Sequence, residues 1–263
     1  PVPEPVALEE DPSWLGRPFS LMAEIPGCSA AIAELPEGEA GIAIGTRFWN
    51  LLGELTHLPA MEEPRLTACM PVPDPAECAA RELAYWSGVI EQDAQKPEPV
   101  ARAARRWLEA ELPPPPARLC LVHGDYRSGN FLFRRDGTVH GILDWEMAHI
   151  GDPYEDLAWS LDPVWGWPER ERAGRLLPRN EAVAAWQETS GLAFDPRAFR
   201  WWSVFASYKA FGIWVSSTED FGSAPGRDPI LAVAGWMLTD RQRRILLDRI
   251  SPDRELRYVE DWP

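Results

Sequence analysis

Leu121-Val122-His123-Gly124-Asp125-Tyr126-Arg127-Ser128-Gly129-Asn130, followed by Ile142-Leu143-Asp144-Trp145-Glu146, is the stretch that decides how this chain folds. Leu119-Cys120-Leu121-Val122 is an unbroken apolar run and predicts a short buried strand. Asp125 and Asn130 lie on the loop that leaves it. Phe131-Leu132-Phe133 and Val139 to Trp145 then flank Arg134-Arg135-Asp136-Gly137, and Asp-Gly between apolar runs signals a hairpin. If Asp136-Gly137 is a two-residue turn, paired positions sum to 273. Asn130 then faces Leu143, and Asp144 faces Gly129. Asn130 and Asp144 become near-diagonal neighbours at the open end of the hairpin, roughly 5–8 Å apart.

An amide oxygen and a carboxylate so placed can reach one Mg²⁺, which prefers oxygen ligands and shares its shell with phosphates and water. Asp125 faces the same ion from the substrate side. One carboxylate to orient a hydroxyl, with an Asn and an Asp to hold metal, is a set of parts for phosphoryl transfer. The order Asp, four residues, Asn, hairpin, Asp matches the protein-kinase catalytic and metal-binding loops, with His-Gly-Asp replacing His-Arg-Asp.

Outward from this centre the chain reads mainly as helix. Residues 19–25 predict a strand ended by Pro26-Gly27. Ile44, Phe48, Leu51, Leu52 and Leu55 share one helical face. So do Ala79, Leu83, Trp86 and Ile90 in a helix from about Pro75, and Val100, Ala104, Trp107 and Leu108 in another near 98–111. Pro113 to Pro116 is a stiff spacer. Asp-Pro occurs six times. Asp is a good N-cap and Pro suits the first helical position. Asp74, Asp152, Asp195 and Asp228 therefore predict helix starts. Asp11 and Asp162 are read as loop residues. Glu77 and Glu155 occupy capping-box positions. The helix after Pro196 is apolar nearly all round and should be buried. The last helix spans about 229–249, and the polar tail to Pro263 should be frayed.

Composition excludes several classes. Net charge is −15 from 26 cations and 41 anions, and only Lys96 and Lys209 are lysines. No basic run exists to bind nucleic acid or anionic lipid. No stretch approaches the ~20 apolar residues needed to span a membrane. Cys28, Cys69, Cys78 and Cys120 form no C-x-x-C pair, and no secretion signal opens the chain, which points to free thiols in a cytoplasmic protein. Low Lys with high Pro and Trp is read as the habit of a GC-rich bacterial source.

At these residues the sequence resembles the aminoglycoside phosphotransferase and choline kinase-like family of small-molecule kinases. The resemblance runs through His123-Gly124-Asp125 to Asn130, Leu143-Asp144-Trp145-Glu146, and Gly151-Asp152-Pro153 to Asp156-Leu157-Ala158. Leu15-Gly16-Arg17-Pro18-Phe19 to Met22, with Pro26-Gly27, looks like the strand and hinge that hold adenine. The resemblance implies an α+β, protein-kinase-like fold: residues 1–27 as part of an N-terminal lobe and hinge, and residues 28–263 as a helical C-terminal lobe. It implies ATP and Mg²⁺ as cofactors and a small-molecule hydroxyl acceptor. Asp125 would be the catalytic carboxylate, and Asn130 and Asp144 the metal ligands. His123 and Asp156 would support the loop, and Met22, Ala23 and Glu24 would meet adenine. No Lys precedes Lys96 and no G-x-G-x-x-G occurs, so the N-terminal lobe is expected to be incomplete in this chain.

Glu146, Trp165 and Trp167 are candidate substrate contacts, the two tryptophans in an expected loop after the Asp156 helix. Asp152 is read as a cap. Two other functions compete with the kinase: a kinase-like binding or regulatory module without turnover, and a two-metal phosphoesterase using Asp125, Asp144 and His149.

Overall fold

The computed structural model describes residues 1–167, 171–223 and 229–251. The chain opens with an antiparallel ribbon of β1 (Pro5–Glu9) and β2 (Phe19–Met22), pairing Pro5 with Met22 and Glu9 with Phe19. The second strand is shorter than expected, because pairing stops at Met22 and only the Ala23 N–H still reaches back, to Glu4 O at 2.8 Å.

Helices α1 (Gly38–His57), α2 (Pro64–Cys69), α3 (Cys78–Asp93) and α4 (Pro99–Ala110) follow. The apolar faces expected for α1 and α3 are the buried ones: Ile44, Phe48, Leu51, Leu52 and Leu55, and Ala79, Leu83, Trp86 and Ile90. Asp74 caps the turn before α3 by accepting from Ala76 N–H at 2.9 Å.

The β centre comprises β3 (Cys120–Val122), β4 (Phe131–Phe133), β5 (Val139–Ile142) and β6 (His149–Gly151). Strands β3 and β6 pair with each other, as do β4 and β5, each antiparallel. The hairpin keeps the expected register at Phe131–Ile142 and Leu132–Gly141, and Leu143 N–H donates to Asn130 O at 2.8 Å. Its turn differs. Arg134 pairs with Thr138, and Gly137, at φ +95°, donates to Arg134 O at 3.2 Å, so the loop has three residues. Asp136 accepts from Thr138 N–H at 3.0 Å, which favours this closure. A bulge between Leu132 and Phe133 restores the register nearer the open end.

Two loops therefore cross between the same two ribbons. Residues 123–130 run from β3 to β4, and residues 143–148 run from β5 to β6. The ribbon geometry places them side by side at both ends. The N-terminal segment docks on the hairpin edges: Ser29 pairs with Phe133, and Ile142 N–H donates to Pro1 O at 2.8 Å.

Beyond β6 come α5 (Pro153–Ser160), α6 (Pro163–Gly166), the small pair β7 (Arg172–Ala173) and β8 (Leu177–Pro178), then α7 (Arg179–Ser190), α8 (Pro196–Ser223) and α9 (Pro229–Ile250). Asp162 proves to be a helix cap rather than a loop residue. Its Oδ1 accepts from Val164 N–H at 3.0 Å, and its Oδ2 accepts from Ser207 Oγ and Arg249 Nη1. Helix α8 is buried over most of its length, with Trp201, Trp202 and Phe205 packed ring against ring. The expected cap at Asp228 and the tail from Pro252 to Pro263 lie outside the described residues.

The fold is α+β, with helices dominating and the small β centre holding the two loops together. Among the described residues no helix is long and apolar enough to cross a membrane. All four cysteines are free.

Candidate active site

Gly124 begins the geometry. Its φ is +84°, and a Cβ there would lie 2.5 Å from Met147 O, so the left-handed turn and the closeness of the second loop both require glycine. The Asp156 carboxylate, fully buried on α5, accepts from His123 N–H at 2.6 Å and Gly124 N–H at 2.9 Å. Burial raises the Asp156 pKa, against the pull of neighbouring His123. His123 Nδ1 accepts from Asp125 N–H at 3.1 Å, which leaves Nε2–H to donate to Leu143 O at 2.8 Å. The imidazole thus links the two loops. The support roles expected of His123 and Asp156 thus have matching hydrogen bonds.

The Asp125 side chain keeps 14% of its surface exposed. Its carboxylate accepts from three side chains: Trp159 Nε1 at 2.8 Å, Asn130 Nδ2 at 2.7 Å and Arg127 Nε at 3.1 Å to both oxygens. Arg127 in turn lies over the Trp165 ring, 4.9 Å from its centroid. Three donors hold the carboxylate in one orientation while one edge meets solvent.

Asn130 points Nδ2 at Asp125, and among the described residues no donor reaches its Oδ1. Asp144 is exposed and left-handed, φ 68° and ψ 58°, a conformation that Asp tolerates better than most residues. Its carboxylate likewise meets no donor among the described residues. Two oxygen groups with uncommitted lone pairs, on loops joined through Leu143, fit a hard divalent cation.

The remaining candidates scatter. Glu146 is exposed on the single 3₁₀ turn Trp145–Met147. Trp165 does not sit in a loop as expected, because the Asp162 cap starts the helical turn Pro163–Gly166 there, whereas Trp167 follows that turn in an extended conformation. Trp165 packs against Trp159 and Trp214, so it backs Arg127 rather than forming a free wall. Trp167 is 55% exposed, with the Arg241 guanidinium over its ring. Met22 and Glu24 are exposed, and the Ala23 N–H is committed to Glu4. Two adjoining cavities of ≈ 230 and ≈ 450 Å³ share Ala94, Gln95, Lys96 and Glu98, just beyond the C-terminal end of α3, and none of Asp125, Asn130 and Asp144 lines them.

Behind the loop lies a buried charge network that the sequence reading did not anticipate. Lys209 Nζ donates to Gly124 O at 2.6 Å and to Glu155 Oε1 at 3.1 Å. Glu155 Oε2 accepts from His149 Nε2 at 3.1 Å, and Glu82 lies 3.7 Å from the same nitrogen. Glu82, His149 and Glu155 cluster as metal ligands can. Lys209 already supplies counter-charge there, however, and both ring nitrogens of His149 are engaged, Nε2 with Glu155 and Nδ1 with Met147 O. Glu155 therefore does not close a capping box; Asp152 alone caps α5, through Tyr154 N–H at 2.8 Å.

Burial works against the His149 imidazolium, but Glu155 and then Glu82 more than offset it, and its pKa rises to about 9. A base whose folded pKa is raised adds stability below its ordinary value, and that stability is lost as pH climbs through the folded value. Glu82, raised by burial and by Glu155, runs in the same direction at lower pH. We expect stability to fall by on the order of 2–3 kcal/mol between pH 6.5 and pH 9. Urea unfolding across that range measures it, and His149→Gln should flatten the slope. An equally steep slope in the variant would contradict the assignment.

Two loops on paired ribbons beneath a helical lobe form a protein-kinase-like fold. A choline/ethanolamine kinase family protein from Mesorhizobium loti shares it, with TM-score 0.62 at 14% identity, covering 99% of this chain and 76% of that one. Residues 1–202 match APH, the phosphotransferase enzyme family, and the chain belongs to that family. Acyl-CoA dehydrogenase family member 11 of Gallus gallus is 30% identical over 169 residues, which are 64% of this chain but 21% of that protein. Viomycin phosphotransferase of Streptomyces vinaceus is 27% identical over 176 residues, 65% of this chain and 56% of that protein. The chain thus spans only part of each relative.

Proposed function

We propose that this chain carries the catalytic centre of a small-molecule kinase, one that moves the γ-phosphoryl group of ATP to a substrate hydroxyl. The observation that carries the proposal is the Asp125 carboxylate, held by Trp159, Asn130 and Arg127 on a loop clamped by Asp156. Asp125 orients the acceptor hydroxyl and takes its proton as the new P–O bond forms. Arg127 keeps a positive charge beside the reacting groups. Asn130 Oδ1 and Asp144 would hold Mg²⁺, which when bound neutralises phosphate charge. Residues 1–27, with Met22 to Glu24, would form the adenine side, and residues 28–263 the helical lobe that selects the acceptor. The free thiols suit a reducing cytoplasm.

The test is ADP release by the full-length protein with MgATP and a panel of hydroxyl acceptors: aminoglycosides, choline-like amino alcohols, sugars, macrolides and hydroxyacyl thioesters. Acceptor-dependent ADP release that EDTA abolishes is the expected result. ATP binding with no transfer to any acceptor would favour the binding module instead. Metal-dependent phosphomonoester hydrolysis without ATP would favour the phosphoesterase.

A further inference from the structure

Lys209 is one of two lysines in the chain, yet it sits near the middle of α8 in a run of buried residues, 1% exposed. An ammonium in such surroundings is tolerated only when its charge and donors are satisfied. Here it meets one carboxylate, one carbonyl and two aromatic faces: the Trp86 ring at 5.6 Å and the Trp159 ring at 5.1 Å. An apolar side chain of the same length would fill this space. What the ammonium adds is a grip on Gly124 O.

That grip bears on Asp125 by two routes. Asp156 holds the Gly124 N–H and Lys209 holds the Gly124 carbonyl, so the peptides on both sides of the most permissive residue in the loop are fixed. The Gly124–Asp125 peptide plane sets the direction in which the Asp125 side chain leaves the backbone. The second route is Trp159. Its indole N–H donates to Asp125 Oδ1, and the ammonium over its ring draws electron density away and sharpens that donor.

We infer that Lys209 is a positioning residue for Asp125, holding the Gly124 carbonyl and the Trp159 indole so that the carboxylate is aimed at the acceptor hydroxyl. The inference rests on the phosphotransfer reading for its kinetic consequence, and on geometry alone for its spectroscopic one. Glu155 on α5 supplies its counter-charge directly, with Glu82 on α3 nearby, and His149 on β6 is a second base that shares these two carboxylates.

The test uses Lys209→Met in the full-length protein, together with Lys209→Met/Glu155→Gln. The double variant removes the anion left beside the new side chain and so keeps the charge balanced should the single variant not fold. In whichever folds, kcat should fall roughly 10- to 100-fold with KM for ATP and acceptor within about twofold, the signature of a misaimed group. The indole N–H resonance of Trp159, assigned through Trp159→Phe, should also move in the ¹H–¹⁵N spectrum. Wild-type kcat in a folded variant overturns the inference while leaving the kinase reading intact. An unmoved Trp159 resonance overturns it whether or not the protein proves to be a kinase.

Discussion

Asp125→Ala is expected to lower kcat for acceptor phosphorylation by about 10²- to 10⁴-fold, the range for removing a catalytic carboxylate. The reason is specific to this site. On the phosphotransfer reading the substitution removes the group that would face the hydroxyl, and it leaves Arg127 Nε, Trp159 Nε1 and Asn130 Nδ2 without their shared acceptor. Asn130 keeps its bond to the Asp125 carbonyl, so its Oδ1 remains oriented and metal-nucleotide binding should change little. The loss should therefore appear in kcat and not in the KM for ATP. Initial rates of ADP release over a matrix of both substrates separate the two. Wild-type turnover in this variant would refute the catalytic assignment.

Asp156→Ala is expected to be the more damaging change to stability. It leaves the buried N–H groups of His123 and Gly124 without an acceptor, and each unsatisfied donor costs about 1–3 kcal/mol. Burial of the carboxylate carries its own penalty, seen in the raised pKa, which partly offsets the loss. The net destabilisation should be about 2–4 kcal/mol. Asp156→Asn retains one acceptor and should fall between the variant and wild type. Chemical denaturation followed by far-ultraviolet circular dichroism measures both. If Asp156→Ala unfolds at the wild-type midpoint, the clamp does not stabilise the loop.

The sequence exposed the hairpin and its two loops because their determinants are local. Apolar runs, Asp136-Gly137 and the Asp125–Asn130 spacing act over a few residues, and the helical faces of α1 and α3 follow from periodicity. The turn type was missed, since the bond from Thr138 N–H to Asp136 competes with a two-residue closure and a compensating bulge conceals the difference. Asp162 was misread because a one-turn helix has no periodicity to detect. Lys209 and Glu155 lie 54 residues apart and meet only when α8 packs on α5. A signal existed nonetheless: a lone lysine between Trp201 and Val215, a run with no other charged residue, must find a partner or a solvent path. Arg127, two residues beyond Asp125, lay inside the deciding stretch, but its turn back onto Asp125 depends on Trp165 lying beneath it.

The paired ribbons also limit how this chain can drift over generations. Residues 123–130 and 143–148 bridge the same two anchors, and Leu143 is tied both to Asn130 O and to the His123 imidazole. Lengthening either span by one amino acid would throw its partner out of step. Insertions and deletions in either segment are therefore expected to cost more than those in the outer helices and their connections.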